Sequence, residues 1–122
     1  MNASNNTVLI TGGASGIGFS LAKAFLEKGN KVIVVGRNSE KLAIAQSQCP
    51  GLISYSCDIS RVQDRDNLIF EIEKNHRDIN ILINNAGVQY SYSSIEELSS
   101  IQNIHPELKI NLVAPIELSC LM

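Results

Sequence analysis

VLITGGASGIG, residues 8–18, is the stretch that decides the fold, because an apolar run ends there in glycines and other small residues. A backbone that turns sharply and lets a large anionic group come close needs residues without a Cβ, and Gly12, Gly13, Gly16 and Gly18 meet that need. Residues 17–28 follow with helical periodicity. The stretch predicts a strand, a glycine turn and a helix, an arrangement that binds phosphate or pyrophosphate; a purely structural tight turn is the alternative.

Outward from this turn, short apolar runs alternate with segments of helical periodicity. The predicted strands are uniformly apolar, which is typical of burial on both faces of a parallel sheet, and cover residues 7–11, 31–35, 52–57 and 79–83. The predicted helices cover residues 16–27, about 39–48 and 61–76. A serine-rich loop (89–94), a weak helical segment (96–101) and a helix from about Pro106 complete the chain.

Caps and breakers set the predicted helix boundaries. Gly29 ends the first helix, Asn38 or Ser39 caps the second, Pro50 stops it, and Ser60 caps the third. The apolar positions expected to face inward are Ile17, Leu21, Ala22, Phe25 and Leu26 in the first helix, and Val62, Leu68, Ile69 and Ile72 in the third.

Strict alternation of strands and helices predicts an α/β fold. Parallel strands joined by right-handed helical crossovers form a doubly wound sheet, here with the expected strand order 3-2-1-4. Because no linker, repeat or low-complexity segment interrupts the sequence, we expect one domain over residues 1–122.

The composition excludes several classes of function. With 122 residues, 44% hydrophobic, a formal net charge of −2 and no run of Lys or Arg, the chain has no basic surface for nucleic acid. The N-terminal apolar run has no basic region before it and is too short for a signal peptide or a membrane span, so a cytoplasmic protein is expected. The cysteines, Cys49, Cys57 and Cys120, lack the spacing of a disulfide framework or a zinc site.

Arg37 follows the second predicted strand, about twenty residues after the glycine turn. An acidic residue at this place would bind the ribose 2′-hydroxyl of NAD, and none is present. A guanidinium can instead bind a 2′-phosphate in bidentate fashion, which favours NADP(H); the alternative is a solvated arginine. Lys31 and Lys41 are taken to lie too far along the chain to replace Arg37 at this point.

Polar residues also follow the third and fourth strands. Asp58 can accept a hydrogen bond from an adenine amino group, or it can cap the loop and helix that follow. NNAG at 84–87 can tie adjacent strands together through its two amides and leave room for a ribose, or it is an asparagine-rich turn.

The histidines and serines do not suggest further chemistry. His76 is expected to interact with the negative end of its helix rather than with a metal ion, and His105 to lie in a loop before Pro106. No histidine accompanies the serines of residues 91–94, so neither a metal site nor acyl transfer is expected.

TGGASGIG at 11–18, Asp58, NNAG at 84–87 and Asn111 within KINLVAP together resemble, in order and spacing, the short-chain dehydrogenase/reductase family. The resemblance covers essentially the whole chain. From GRN at 36–38 and NNAGVQ at 84–89, the chain is most similar to bacterial members grouped with D-alanine lipoteichoic acid esterification operons.

The resemblance implies a role for each matching residue. Gly12, Ser15, Ile17 and Gly18 would line the pyrophosphate and ribose of NADP(H), and Arg37 would hold the 2′-phosphate. Asp58 and Ile59 would flank the adenine, and Asn85, Ala86 and Gly87 would pack near the ribose. Asn111 would support the family's proton relay, and the substrate would be a small molecule with a carbonyl or alcohol group.

One family feature is missing from these residues. Family members pair a tyrosine with a lysine four residues later, where the lysine lowers the tyrosine pKa for proton transfer. Residues Ile59, Ser94 and Glu96 stand four positions after Tyr55, Tyr90 and Tyr92. We therefore expect the cofactor-binding N-terminal half of a reductase that is inactive alone and oligomeric when full length, or alternatively a non-catalytic NADP(H)-binding module.

Overall fold

The computed structural model describes residues 3–86, 118 and 119. Its elements are β1 (Thr7–Thr11), α1 (Gly16–Glu27), β2 (Lys31–Gly36), α2 (Ser39–Gln48), β3 (Ile53–Ser56), α3 (Val62–Asn75) and β4 (Ile81–Asn84). The predicted loop at 89–94, the segments at 96–101 and from Pro106, and His105, Cys120, Tyr90 and Tyr92 lie outside the described residues, as do Gly87 and Asn111.

The four strands form one parallel sheet in the order β3-β2-β1-β4, which confirms the predicted order and the doubly wound class. β1 pairs with β2 on one side and with β4 on the other, so that Val8 lies level with both Val32 and Ile81. Every residue of β1 is buried. The glycine turn that follows β1 therefore emerges from the centre of the sheet.

The sheet is covered on both faces, which is why its strands show no polar alternation. On one face, Val8, Ile10, Val32 and Val34 pack with apolar residues of α1 and α2. On the other face, Leu9, Ile33 and Val35 pack with Leu68 of α3 and with Leu118.

Helix boundaries follow the local signals in α1 and α2. α1 has the predicted bounds, and Gly29, just after its C-cap, has a φ of +82° that favours glycine. Asn38 caps α2, because its side-chain oxygen accepts from the backbone N–H groups of Glu40 (3.0 Å) and Lys41 (3.1 Å).

Three predictions about the N-cap and the inward-facing residues at the starts of helices are wrong. Arg61, not Ser60, is the N-cap of α3, and the Ser60 hydroxyl instead donates to Asp58 Oδ1 at 2.6 Å. Ile17 and Val62 fit the helical period but are 74% and 63% exposed. Both lie in the first turn of their helices, at the sheet edge where the site described below is found.

Strand bounds differ from the predictions by one or two residues. β2 extends to Gly36, β3 is confined to Ile53–Ser56, and β4 is displaced to Ile81–Asn84. Leu52 and Cys57, the outer residues of the third apolar run, are buried without being part of a strand. An apolar run thus marks burial more reliably than strand pairing.

A cluster of asparagines (Asn6, Asn30 and Asn80) closes the amino-terminal edge of the sheet. Asn30 Oδ1 accepts from Asn6 N (2.9 Å) and Asn6 Nδ2 (3.1 Å), and Asn80 Nδ2 donates to Asn6 Oδ1 at 2.9 Å. Asn30 Nδ2 also donates to the carbonyl oxygens of Ala3 and Phe25, each at 2.9 Å. These bonds join the starts of β1, β2 and β4, opposite the edge that carries the glycine turn.

No helix within residues 3–86 or at 118 and 119 is both long enough and apolar enough to cross a membrane.

Candidate functional site

A cleft of about 340 Å³ opens at the carboxyl ends of the strands. This is the edge at which open α/β sheets bind ligands, and the volume lies in the range of small-molecule sites. Its lining residues come from the turns after all four strands and from the start of α2: Gly12, Ala14, Ser15, Val35, Gly36, Arg37, Asn38, Lys41, Cys57, Asp58, Ile59, Asn85 and Ala86.

The glycine turn is packed closely against the residues that follow β4. Gly12 has a φ of +67°, and a Cβ on it would lie 2.9 Å from the Cα of Ala86. A Cβ on Gly18 would overlap the carbonyl oxygen of Gly12 and the Asn85 amide. Both positions therefore require glycine, and the turn at the end of β1 and the turn at the end of β4 form one unit.

The four glycines differ in where they lie. Gly12 lines the cleft, together with Ser15. Gly13 is buried, and a Cβ there would overlap the Val34 side chain, so that this glycine serves packing against the sheet. Gly16 has a φ of +57° with open space around it, at the exposed start of α1.

Thr11 and Asn85 bond the two turns together. The buried Thr11 hydroxyl accepts from the backbone N–H groups of Asn85 and Ala86, each at 3.1 Å. Asn85 Nδ2 donates to the carbonyl oxygen of Gly12 at 3.1 Å. Asn84 Nδ2 instead donates to Ser119 Oγ at 3.3 Å, so of the two amides that we expected to join adjacent strands only Asn85 does so.

Asp58 lies at the opposite wall of the cleft. Its Oδ1 accepts from the backbone N–H (3.0 Å) and the hydroxyl (2.6 Å) of Ser60. Burial opposes its ionisation, but these hydrogen bonds and the charge of Arg37 outweigh burial and lower the pKa of Asp58. Asp58 therefore caps the loop after β3 and also lines the cleft, so both roles considered from the sequence remain compatible with its position.

Asp64 and Arg65, at the start of α3, hold the backbone of the Asp58–Ile59 segment. Asp64 Oδ2 accepts from Asp58 N at 2.9 Å, and Arg65 Nη1 donates to the carbonyl oxygen of Ile59. Arg65 is 3% exposed. These two consecutive residues fix the wall formed by Asp58 and Ile59, and no motif in the sequence pointed to them.

Arg37, Asn38 and Lys41 form the end of the cleft next to β2. Arg37 directly follows Gly36, the last residue of β2, as the sequence predicts. Lys41 also lines the cleft, which corrects the expectation that it lies too far along the chain. Lys31 lies at the amino-terminal edge, where its Nζ is 3.3 Å from Asp78 Oδ1.

The structure thus brings most of the predicted site residues together. Those that line the cleft are Gly12, Ser15, Arg37, Asp58, Ile59, Asn85 and Ala86, while Gly13, Gly16, Ile17 and Gly18 belong to the turn and the start of α1 beside it. Sequence reasoning missed Ala14, Val35, Gly36, Asn38, Lys41 and Cys57. The recognisable signal for most of these was their position at the carboxyl end of a predicted strand.

Cys57 is buried beside Asp58 and is not a candidate nucleophile. Burial first, and then the nearby charges of Asp64 and Asp58, raise the pKa of its thiol to about 11. The thiol is therefore neutral near pH 7 and behaves as a small apolar group in the wall of the cleft.

His76 lies at the end of α3, away from the cleft. Its backbone N–H donates to the carbonyl oxygen of Ile72 at 2.7 Å, a bond that does not involve the ring, for which we expected the interaction with the helix end. The ring instead bonds to Tyr55, with 2.8 Å between Nε2 and the phenol oxygen, and burial lowers its pKa. In the described part of the chain, no group of three His, Cys, Asp or Glu side chains could hold a metal ion.

Comparison with known proteins gives consistent matches along the chain. The short chain dehydrogenase family model matches residues 6–122. An uncharacterised oxidoreductase of Bacillus subtilis, DltE, is 40% identical over 121 residues, which are 99% of this chain and 48% of that protein. L-fucose dehydrogenase of Bos taurus is 29% identical over 92% of this chain and 41% of its own length.

Solved structures have the same arrangement of strands and helices. The bulky-bulky ketone specific alcohol dehydrogenase of Comamonas testosteroni superposes with a TM-score of 0.84 and 26% identity, over 95% of this chain and 47% of that one. A short chain dehydrogenase of Bacillus anthracis gives a TM-score of 0.80 with 30% identity, over 94% and 48% of the two chains. The chain spans about half the length, or less, of the curated relatives it matches.

Proposed function

The chain belongs to the short chain dehydrogenase family, a family of oxidoreductases, and we propose that it forms the NADP(H)-binding portion of an enzyme that transfers hydride between the nicotinamide and a carbonyl or alcohol substrate. The bound nicotinamide would supply the hydride chemistry. This chain's own residues would bind and orient the nucleotide.

The observation that carries the proposal is the close packing of the glycine turn on Asn85 and Ala86, at the start of a helix. The side chain of Ser15, the N-cap residue of α1, makes no capping hydrogen bond to the first turn. The backbone N–H groups and the positive end of α1 suit a pyrophosphate there. We assign this contact to Gly12, Gly13, Ser15, Gly16, Ile17 and Gly18, with Ile17 exposed beside it.

The other walls of the cleft suit the adenosine half of the nucleotide. Asp58 and Ile59 would flank the adenine, and Asn85, Ala86 and Gly87 would pack near a ribose. Arg37 stands where a carboxylate would favour NAD, and its guanidinium suits the 2′-phosphate of NADP(H). Gly87 and Asn111, for which we propose ribose contact and support of a proton relay, lie outside the described residues.

A second candidate function, a non-catalytic NADP(H)-binding module, is favoured by the tyrosines of this chain. None of Tyr55, Tyr90 and Tyr92 has a lysine four residues later. Burial first, and then the charge of Glu71, raise the pKa of Tyr55, which is opposite to the shift that proton transfer by a tyrosine needs.

Titration of NADPH and NADH by cofactor fluorescence tests the binding proposal. We expect Arg37→Asp to weaken NADPH binding by about 10- to 100-fold and to shift the preference towards NADH, because it replaces a bidentate phosphate contact with a repulsive charge. Arg77→Gln, at an exposed arginine outside the cleft, is the control. An unchanged preference in Arg37→Asp would contradict the assignment.

Substrate-dependent oxidation of NADPH by the full-length protein distinguishes the two functions, because residues 1–122 alone are expected to bind the nucleotide without turnover under either proposal. Oxidation of bound NADPH by simple ketones or aldehydes would support a catalytic protein. Tight NADPH binding without oxidation by any of them would support the binding module.

A further inference from the structure

The first turn of α2 presents Lys41 to the cleft. Leu42 is 3% exposed, and a Cβ placed on Gly36 would lie 3.5 Å from its Cδ2, so Leu42 fixes the rotation of the helix against β2. With Leu42 turned inward, the preceding residue Lys41 lies on the side of α2 that borders the cleft, and both Lys41 and Arg37 line the cleft.

Two backbone donors at the start of α2 are already used. Asn38 Oδ1 accepts from both Glu40 N and Lys41 N, at 3.0 and 3.1 Å. These two N–H groups are therefore not open to a ligand, in contrast to α1, whose N-cap residue Ser15 makes no capping hydrogen bond. Binding of an anion at this end of the cleft therefore depends more on side-chain cations than it does at α1.

One arginine does not balance the charge of a phosphate at this position. Among residues 3–86, the charged groups that line the cleft are Arg37, Lys41 and Asp58. Arg37 acts on the Asp58 carboxylate, as Arg61 does, and stabilises its negative charge. A phosphate monoester carries about −1.5 to −2 charges at pH 7, which calls for a second cation.

We propose that Lys41 is that second cation, so that Arg37 and Lys41 together recognise the 2′-phosphate and determine the preference for NADP(H) over NAD(H). Arg37 supplies the planar, bidentate contact, and Lys41 supplies a flexible point charge. The proposal rests on the proposed function, because it concerns the 2′-phosphate of the same nucleotide.

The proposal is tested by removing the lysine charge from the protein and the 2′-phosphate from the nucleotide, separately and together. NADPH and NADH are titrated by fluorescence with the parent protein, Lys41→Gln, Lys41→Arg and Lys23→Gln. Lys23, on the exposed side of α1 and outside the cleft, is the matched control for loss of one positive charge. Lys41 is itself exposed, so its substitution should leave folding intact.

We expect Lys41→Gln to weaken NADPH binding by about five- to tenfold and NADH binding by less than twofold, since only NADPH carries the 2′-phosphate. Lys41→Arg should retain the preference, and Lys23→Gln should match the parent. Displacement of bound NADH, which lacks the 2′-phosphate, by adenosine 2′,5′-bisphosphate should weaken in Lys41→Gln, while displacement of NADH by adenosine 5′-phosphate should not.

Two results would overturn the proposal in different ways. If the parent prefers NADPH and Arg37→Asp loses that preference, but Lys41→Gln keeps it or weakens both nucleotides equally, only the role of Lys41 is wrong. If the parent binds neither nucleotide, the proposed function is wrong, and the proposed role of Lys41 is then wrong as well.

Discussion

Thr11→Val tests whether the buried hydroxyl at the end of β1 holds the wall of the cleft. The substitution keeps the shape of the side chain, which is 1% exposed, and removes the oxygen that accepts from Asn85 N and Ala86 N at 3.1 Å. Ala86 N is then left without an acceptor, which costs about 1–1.5 kcal/mol, whereas Asn85 N keeps a second acceptor, the carbonyl oxygen of Ile83 at 3.1 Å. The added buried methyl group returns about 0.8 kcal/mol, so the expected loss of stability is about 0.5–1 kcal/mol.

Thr11→Ser is the matched control, because it keeps the hydroxyl and removes the methyl group. Its expected cost is about 1 kcal/mol from lost burial, close to that of Thr11→Val. Urea unfolding followed by circular dichroism measures both values. The two variants should differ locally: only Thr11→Val should speed amide hydrogen exchange at Ala86 and weaken NADPH binding by about tenfold.

The reasoning fails if Thr11→Val keeps the amide protection of Ala86 and binds NADPH within twofold of the parent. It also fails if Thr11→Ser reproduces the faster exchange, because packing of the methyl group, and not the hydroxyl, would then hold the two turns together.

Gly18→Ala places a methyl group against the carbonyl oxygen of Gly12. We expect the free energy of unfolding, measured in urea, to fall by about 1–3 kcal/mol and NADPH binding to weaken. Values equal to those of the parent protein would contradict this close packing. Asn30→Ala removes four hydrogen bonds of a buried amide and should cost about 2–3 kcal/mol, whereas Asn67→Ala on the exposed side of α3 should cost less than about 0.5 kcal/mol. Burial lowers the pKa of His76 below its usual 6.5, so the unfolded chain binds more protons than the folded chain as the pH falls below that value. The contribution of His76 to stability is therefore full above about pH 6.5 and is lost as the pH drops below it. His76→Gln should flatten this fall in urea unfolding between about pH 7 and 5, and an unchanged slope would assign it to other groups.

The order of elements was predictable because strong local signals agree with the tertiary structure. Gly29 and Asn38 mark helix ends by backbone conformation and hydrogen bonding, and these signals do not depend on the rest of the chain. The prediction that Ile17 and Val62 face inward was wrong because periodicity reports which residues share a face of the helix. It does not report how far the sheet that covers this face extends. The prediction that Ser60 caps α3 was wrong because its hydroxyl donates instead to the carboxylate of Asp58, two residues away.

The candidate site was predictable where residues directly follow a strand, as Arg37, Asp58 and Asn85 do. The prediction for Lys41 was wrong because separation along the chain does not report distance in space where a helix begins. Lys41 is four residues after Arg37, and one helical turn lets both residues line the same cleft. Thr11, Asp64 and Arg65 act through hydrogen bonds to backbone atoms distant in sequence or across a loop. Such partners become visible only when the strands and helices are assembled.

The position of β1 at the centre of the sheet has a consequence for the thermodynamics of binding. A strand that is hydrogen-bonded on both sides and buried throughout is among the last parts of a protein to open in local unfolding. The glycine turn continues directly from it and is bonded to β2 through Gly12 N and Val35 O at 2.8 Å. The turn is thus preorganised, so a nucleotide that binds there loses little affinity to the conformational entropy of ordering it.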